Sequence, residues 1–182
     1  MTTQLNLNID APLDLHPLLD MAAFQQQLAH SPLPLPIFKL ALQRGQQQLQ
    51  HEFEQKIPIA ILVQRRSELL DQLLIQAWQL LIPDDTHLAL VAVGGYGRAE
   101  LLPASDIDVL ILTAAETDPV QELAPQLSPF LYLLMDMGIK VGHSVRSVTA
   151  CIEESADITV ITNLLEARFL IGENPLFQQL IS

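Results

Sequence analysis

Two apolar runs separated by a glycine turn constrain the fold of this chain more than any other feature. Residues 88–93 are apolar and partly β-branched, which is typical of a buried strand. Gly94 and Gly95 follow directly, and a second apolar run extends from Asp106 to Thr113. The pattern predicts a strand, a turn that opens a short helical segment, and a second strand, with the rest of the chain packed around this unit.

Helical periodicity is found on both sides of this unit. Helices are predicted over residues 37–56, 59–81, 120–137, 148–155 and 158–170. A third strand is predicted at Ile139–Arg146, after a helix end at Gly138. Pro125 and Pro129 predict a kink or a split in their helix, and Trp78 is expected in the core. The chain is therefore expected to form a helix-rich or mixed domain of helices and strands.

Prolines mark the first part of the chain, because five of the twelve lie in residues 1–36. Proline fixes φ and restricts the residue before it, so this part is predicted to be an extended arm, with a proline-rich docking peptide as the alternative. Residues 37–82 are predicted to form an N-terminal helical segment. Residues 83–182 form the domain with the glycine turn, which ends as if a longer protein had been cut there.

Charge and composition exclude several classes of function. The net charge is −12 with only nine Lys and Arg residues, which argues against binding of nucleic acid through its phosphates. Apolar runs stop well short of the roughly 20 residues that a membrane span needs. Cys151 is the only cysteine, and the first residues do not resemble a signal segment. These observations predict a soluble, cytoplasmic protein.

Asp106 and Asp108 are the residues that indicate chemistry. On a strand they project to the same face, where two carboxylates repel each other unless a divalent cation lies between them. Such a pair is able to hold the ions of two-metal catalysis. The backbone of Gly94 and Gly95 allows close approach of a phosphate, although the spacing fits neither the dinucleotide-binding nor the P-loop pattern.

Four blocks of sequence identify a family resemblance. They are Gly94-Gly95-Tyr96-Gly97-Arg98-x-Glu100-Leu101, Ser105-Asp106-Ile107-Asp108, Val141-Gly142-His143-Ser144-Val145-Arg146 and Asp157-Ile158-Thr159-Val160-x-Thr162-Asn163-Leu164-Leu165-Glu166-Ala167-Arg168. In this order they resemble the N-terminal domain of bacterial PII uridylyltransferase/uridylyl-removing enzymes, within the nucleotidyltransferase superfamily that includes DNA polymerase β. The resemblance implies an α+β, polymerase β-like fold: a small mixed sheet flanked by helices, with N-terminal helices and an extended arm.

The resemblance also implies an activity, which is magnesium-dependent transfer of UMP from UTP to a tyrosine of the PII signal-transduction protein. Asp106 and Asp108 would hold Mg²⁺, while Gly94 and Gly95 would hold the triphosphate. Two further residues have open roles. Arg98 either contacts phosphate oxygens or forms a salt bridge to Glu100 or another acid, and Ser105 either orients Asp106 or caps the turn.

One departure from the superfamily concerns a third carboxylate, which many members carry on the following strand. The strand predicted here offers His143, Ser144 and Arg146 instead. His143 is a candidate metal ligand or base, with a structural role as the alternative, and Asp157 or Glu166 is a candidate to supply the missing charge from a helix. The group that deprotonates the acceptor tyrosine therefore stays open.

Two other functions remain possible on these residues. One is a nucleotidyltransferase with another nucleotide or acceptor, such as an adenylyltransferase, because the base pocket is not legible from the motifs. The other is an inactive nucleotide-binding or interaction module. Removal of UMP is not expected, because the chain lacks the His-Asp dipeptide of the phosphohydrolase domain found in the full-length enzymes.

Overall fold

Three helices precede the sheet in the chain. The computed structural model describes residues 15–114, 119–154 and 165–182. The first helices are α1 (Met21–His30), α2 (Pro34–Glu54) and α3 (Ile59–Leu81). Helix α3 has the bounds that its periodicity predicts. It packs closely on α2 at Gly45, where a Cβ atom would overlap the Leu69 side chain.

Helix α1 corrects the extended arm predicted for residues 1–36. The Asp20 carboxylate accepts a hydrogen bond from the Ala23 N–H (3.0 Å) and so caps the first turn of this helix. Pro34 is the first residue of α2, where its missing N–H would have no partner within the helix. The prolines therefore begin a helix here rather than preventing one. Residues 1–14 lie outside the described residues.

Four strands form one mixed sheet in the order β3-β2-β1-β4. They are β1 (Leu88–Val93), β2 (Ile107–Thr113), β3 (Val141–Ser147) and β4 (Arg168–Gly172). Strand β1 is antiparallel to β2 and β4, whereas β2 is parallel to β3. Two parallel strands need a crossover connection, and helix α5 (Pro119–Asp136) lies in the crossover from β2 to β3. The predicted small mixed sheet flanked by helices is confirmed.

Both faces of the sheet are covered. Helices α1 to α3 and α5 contribute to one apolar cluster, which includes Trp78 in edge-to-face contact with Phe130 (5.4 Å between ring centroids). The expected core position of Trp78 is confirmed. Helices α6 (Val148–Glu154) and α7 (Asn174–Leu180) contribute to a second cluster on the opposite face. The two central strands, β1 and β2, are apolar on both sides because both of their sides are buried.

Two predictions concern the segments after the central unit. The helix predicted over residues 158–170 is wrong in its last residues, because Arg168–Gly172 forms strand β4. Residues 155–164 lie outside the described residues. Of the kink or split predicted for α5, the split is absent, because Pro125 and Pro129 lie inside one continuous helix, on its exposed side. Among the described residues, no helix combines the length and apolarity that a membrane span requires.

Candidate active site

The glycine turn forms the short helix α4 (Gly94–Gly97) directly after β1. Gly94 has a φ of 59°, in the left-handed region that glycine adopts without strain. A Cβ atom on the half-buried Gly95 would make only ordinary contacts, with Arg98 Nη2 at 3.7 Å and the Glu100 carbonyl at 3.9 Å, so nothing packs tightly against this glycine. A Cβ atom on Gly97 would overlap the Glu166 carbonyl oxygen. Gly97 is thus needed for packing, whereas Gly95 leaves the turn accessible to a ligand.

Strand pairing brings this turn beside the two aspartates. Val93, the last residue of β1, pairs with Asp108, the second residue of β2. Asp106 lies just before β2, and both aspartates are exposed. Ile107 between them is only 1% exposed and belongs to the cluster on the other face. The alternation predicted for this strand is confirmed, and the carboxylates share one end of the sheet with the glycine turn.

The surroundings of Asp108 influence its ionisation. Partial burial raises the pKa of Asp108, and the negative charge of Asp106 raises it further. Lys140 lies on the other side of Asp106, with 3.9 Å between its Nζ and Asp106 Oδ1. Lys140 was not predicted from the sequence, because its proximity follows from the pairing of β3 with β2. Its charge offsets part of the repulsion between the aspartates.

Gly142 of β3 lies directly opposite Asp108. A Cβ atom on Gly142 would overlap Asp108 Oδ1, so the carboxylate occupies the space that the glycine leaves. The sequence of β3 contains no carboxylate. At the position beside Asp108, a side chain of any kind would displace a candidate metal ligand.

The other predicted residues of β3 lie further from the aspartates. Ser144 pairs with Leu110 and Arg146 with Leu112, so both share the face of Asp108 but lie beyond it, over the second cluster. Arg146 also affects the Cys151 thiol of α6. Burial raises the pKa of this thiol, and the positive charge of Arg146 offsets part of that rise. His143 pairs with Val109 and therefore lies on the opposite face.

Arg98 is held by two acids in this structure. Its Nε donates to Glu100 Oε2 (3.0 Å), and its Nη1 donates to Glu166 Oε2. Both hydrogen bonds raise the pKa of Arg98, and the bond to Glu100 has the larger effect. The structure therefore shows the salt bridge that the sequence offered as one of two roles. Glu166, a candidate for the missing carboxylate, is occupied by the same arginine.

Ser105 lies in the exposed turn before the aspartates. Its backbone N–H donates to the Leu102 carbonyl (3.1 Å), so it takes part in closing that turn. Within the described ranges, no three His, Cys, Asp or Glu side chains come together as a metal site. Asp157, the other candidate third carboxylate, lies outside those ranges. The donors that remain for a cation are the carboxylates of Asp106 and Asp108.

These donors fit magnesium. Mg²⁺ prefers oxygen ligands and usually keeps several waters, so that one or two carboxylates and the phosphates of a substrate are sufficient. Both carboxylates are exposed and lie beside the open glycine turn. The arrangement is therefore suited to a triphosphate that brings further oxygen ligands to the ion.

Comparison with known sequences agrees with this geometry. The family described as "Putative nucleotidyltransferase DUF294" matches residues 43–144, which include the glycine turn and both aspartates. The chain belongs to this nucleotidyltransferase family. The nucleotidyltransferase fold expected from the motifs is confirmed, and so is the resemblance of the chain to uridylyltransferase sequences. The division of the chain at residues 36 and 82 stays a prediction.

Curated relatives of this nucleotidyltransferase domain carry a more specific name. Proteins called bifunctional uridylyltransferase/uridylyl-removing enzyme are 43% identical to it over 166 residues in Pseudomonas aeruginosa, Pseudomonas syringae pv. tomato and Azotobacter vinelandii. The match covers 90% of this chain but only 18% of each relative. The chain thus spans less than a fifth of the length of the enzymes that it resembles.

Proposed function

We propose that this domain transfers UMP from UTP to a tyrosine of the PII signal-transduction protein and releases pyrophosphate. The pairing of Val93 with Asp108 supports the proposal, because it brings the glycine turn beside two carboxylates. The name of the relatives supports uridylyl transfer in particular. The acceptor protein and the cytoplasmic location are part of the proposal and rest on the motif resemblance.

The reaction forms a bond between the tyrosine oxygen and the α-phosphorus of UTP as the bond to pyrophosphate breaks, and the hydroxyl proton of the tyrosine is released to solvent. Bound Mg²⁺ would neutralise charge on the phosphate oxygens. Asp106 and Asp108 would fix the position of the ion, and the open face at Gly95 would let the backbone approach the triphosphate. No side chain of this domain has to act as a nucleophile. Its contribution is to position the reactants and stabilise charge.

Arg98 has a defined part in this proposal. Its guanidinium is exposed and pairs with the carboxylates of Glu100 and Glu166. A triphosphate beside the glycine turn would compete for this cation. Arg98 would then exchange a carboxylate for a phosphate oxygen, so that both roles predicted from the sequence describe successive states of one residue.

Labelled nucleotide transfer tests the proposal. Purified chain, PII and Mg²⁺ are incubated with each of the four ribonucleoside triphosphates, and label on PII is measured. We expect transfer from UTP, with a loss of at least about 100-fold in Asp106→Asn and in Asp108→Asn. Asp85→Asn is the matched control, since Asp85 is an exposed aspartate near the other end of β1.

The other outcomes distinguish the alternatives. Unchanged transfer in both aspartate variants would contradict the two-carboxylate site. Preference for ATP would identify an adenylyltransferase on the same fold. Triphosphate binding without transfer to PII would indicate a binding module.

A further inference from the structure

Arg168 connects helix α3 to the glycine turn. Its Nη1 and Nη2 donate to the two carboxylate oxygens of Asp71 (2.6 and 3.1 Å). Nη2 also donates to the Tyr96 carbonyl (3.1 Å), and Nε donates to the Gly97 carbonyl (3.2 Å). One guanidinium therefore holds a carboxylate of α3 and the last two carbonyl groups of α4.

The position of Arg168 in the sheet explains this reach. Arg168 begins β4 and pairs with Ala92, near the end of β1 where the turn begins. Just before it in the chain, the Glu166 carbonyl lies against Gly97 so closely that a Cβ atom would not fit. The carbonyl end of the turn is thus fixed from two sides by the same short segment.

Fixing the carbonyl end also determines the direction of the other end. In a helical turn the N–H groups point opposite to the carbonyl groups, and the first N–H groups have no acceptor within the turn. A positive guanidinium at the carbonyl end complements the dipole of the peptide groups. The hydrogen bonds of Arg168 therefore fix the orientation of the whole turn, including the backbone of Gly94 and Gly95.

The Tyr96 side chain adds to this connection. Its ring is 1% exposed, and the Arg168 guanidinium carbon lies 5.6 Å from the ring centroid. Burial raises the pKa of Tyr96 well above its ordinary value, and the nearby Asp71 charge raises it further. The hydroxyl lies near Asp71 without meeting hydrogen-bond geometry and has no partner within the described residues. The side chain is therefore a neutral, buried anchor for the turn.

We propose that Asp71 and Arg168 are a positioning pair that sets the orientation of the glycine turn for triphosphate binding. The inference rests on the proposed function of that turn. Asp71 holds the guanidinium and balances its charge, and Arg168 holds the turn. Neither side chain needs to touch the nucleotide. Their effect on the reaction passes through the backbone of Tyr96 and Gly97.

The chain contains a matched pair that separates positioning from stability. Arg65 donates from Nε and Nη2 to the two carboxylate oxygens of Glu52, each at 2.9 Å, and also to the His16 carbonyl. This pair joins α2 to α3 through two hydrogen bonds to one carboxylate, as in the Asp71–Arg168 pair, although Arg65 uses Nε and Nη2 where Arg168 uses Nη1 and Nη2. None of its recorded partners belongs to the glycine turn. A variant of Arg65 therefore shows how the loss of two hydrogen bonds between an arginine and a carboxylate changes the stability of the fold, without a direct effect on the turn.

The experiment compares Arg168→Lys with Arg65→Lys. Lysine keeps the charge but lacks the planar fork that contacts a carboxylate and carbonyl groups together. In Arg168→Lys we expect amide hydrogen exchange of residues 94–99 to accelerate and triphosphate binding to weaken by about 10- to 100-fold. In Arg65→Lys we expect unfolding at lower denaturant, with exchange of the turn and nucleotide affinity as in the parent chain. Asp71→Asn should give a smaller effect than Arg168→Lys, since Arg168 keeps its bonds to the carbonyl groups.

Equal effects of the two lysine variants on the turn and on binding would show that Arg168 is structural only, and would overturn the proposal. A parent chain that binds none of the four triphosphates would refute the proposed function and, with it, positioning for a triphosphate. The exchange measurement would still decide whether Arg168 fixes the turn. The two failures are therefore distinguishable.

Discussion

The Asp108 carboxylate occupies the space that the missing side chain of Gly142 leaves on the neighbouring strand. The two residues pair directly across the parallel strands β2 and β3. A candidate metal ligand is thus positioned by the absence of a side chain opposite it. A side chain at position 142 would therefore require the Asp108 carboxylate to move.

Gly142→Ala should reduce activity much more than stability. The new Cβ atom would overlap only Asp108 Oδ1, the end of a side chain that is able to rotate away. We expect UMP transfer to fall by at least about tenfold, because the supporting surroundings of a metal ligand are lost. The Mg²⁺ concentration for half-maximal activity should rise. An alanine variant with parental activity at every Mg²⁺ concentration would mean that Asp108 need not stay in this position.

The raised pKa of Asp108 predicts how stability depends on pH in buffer without divalent cations. A carboxyl whose pKa is higher in the folded than in the unfolded state disfavours folding once it is ionised. Asp108→Asn should therefore raise the free energy of unfolding at neutral pH. The gain should shrink as the pH falls through the raised pKa of Asp108, and disappear below the pKa of the unfolded chain. Urea unfolding of both proteins at several pH values measures this difference, and a gain that grew towards acid pH would contradict it.

Local patterns predicted the strands that carry the aspartates and the turn. Alternation along β2 predicted that Asp108 would face the site while Ile107 entered the core, and periodicity predicted the bounds of α3. These features depend on residues close together in the chain. The sequence also indicated that the turn and the carboxylates belong to one unit, which the pairing of Val93 with Asp108 bears out.

Contacts between distant segments were not accessible from the pattern. Lys140 and Gly142 reach the aspartates only through the register of two parallel strands, and Asp71 and Arg168 are 97 residues apart. Strand β4 was missed because its apolar residues continue what resembles a helical run. Tertiary pairing with β1 decides its conformation.

The Glu52–Arg65 pair should contribute strongly to stability. Glu52 is 1% exposed and accepts both hydrogen bonds of the Arg65 fork, so removal of the arginine leaves a buried charge without its partner. Arg65→Ala should lower the free energy of unfolding by about 3–5 kcal/mol in urea titrations. The control is Glu100→Gln in the exposed pair with Arg98, where no resolvable change is expected because water screens both groups. Equal losses in the two variants would contradict the difference in burial.

Gly95 and Gly97 should respond differently to alanine, although they are two residues apart in one turn. A Cβ atom on Gly95 meets nothing closer than 3.7 Å, so Gly95→Ala should keep the fold and stabilise it by about 0.4–1 kcal/mol. The same methyl group would stand where a triphosphate approaches, so nucleotide affinity should fall. A Cβ atom on Gly97 overlaps the Glu166 carbonyl and lies 3.0 Å from the Ala92 carbonyl.

Because these obstacles are backbone atoms, Gly97→Ala should destabilise the domain by about 1–3 kcal/mol or more. Thermal unfolding and equilibrium triphosphate binding, measured on both variants, separate the two roles. The expected result is a stable Gly95→Ala protein that binds nucleotide weakly and a destabilised Gly97→Ala protein. If Gly95→Ala bound triphosphate as tightly as the parent chain, the open face of the turn would not be the place where the phosphate lies.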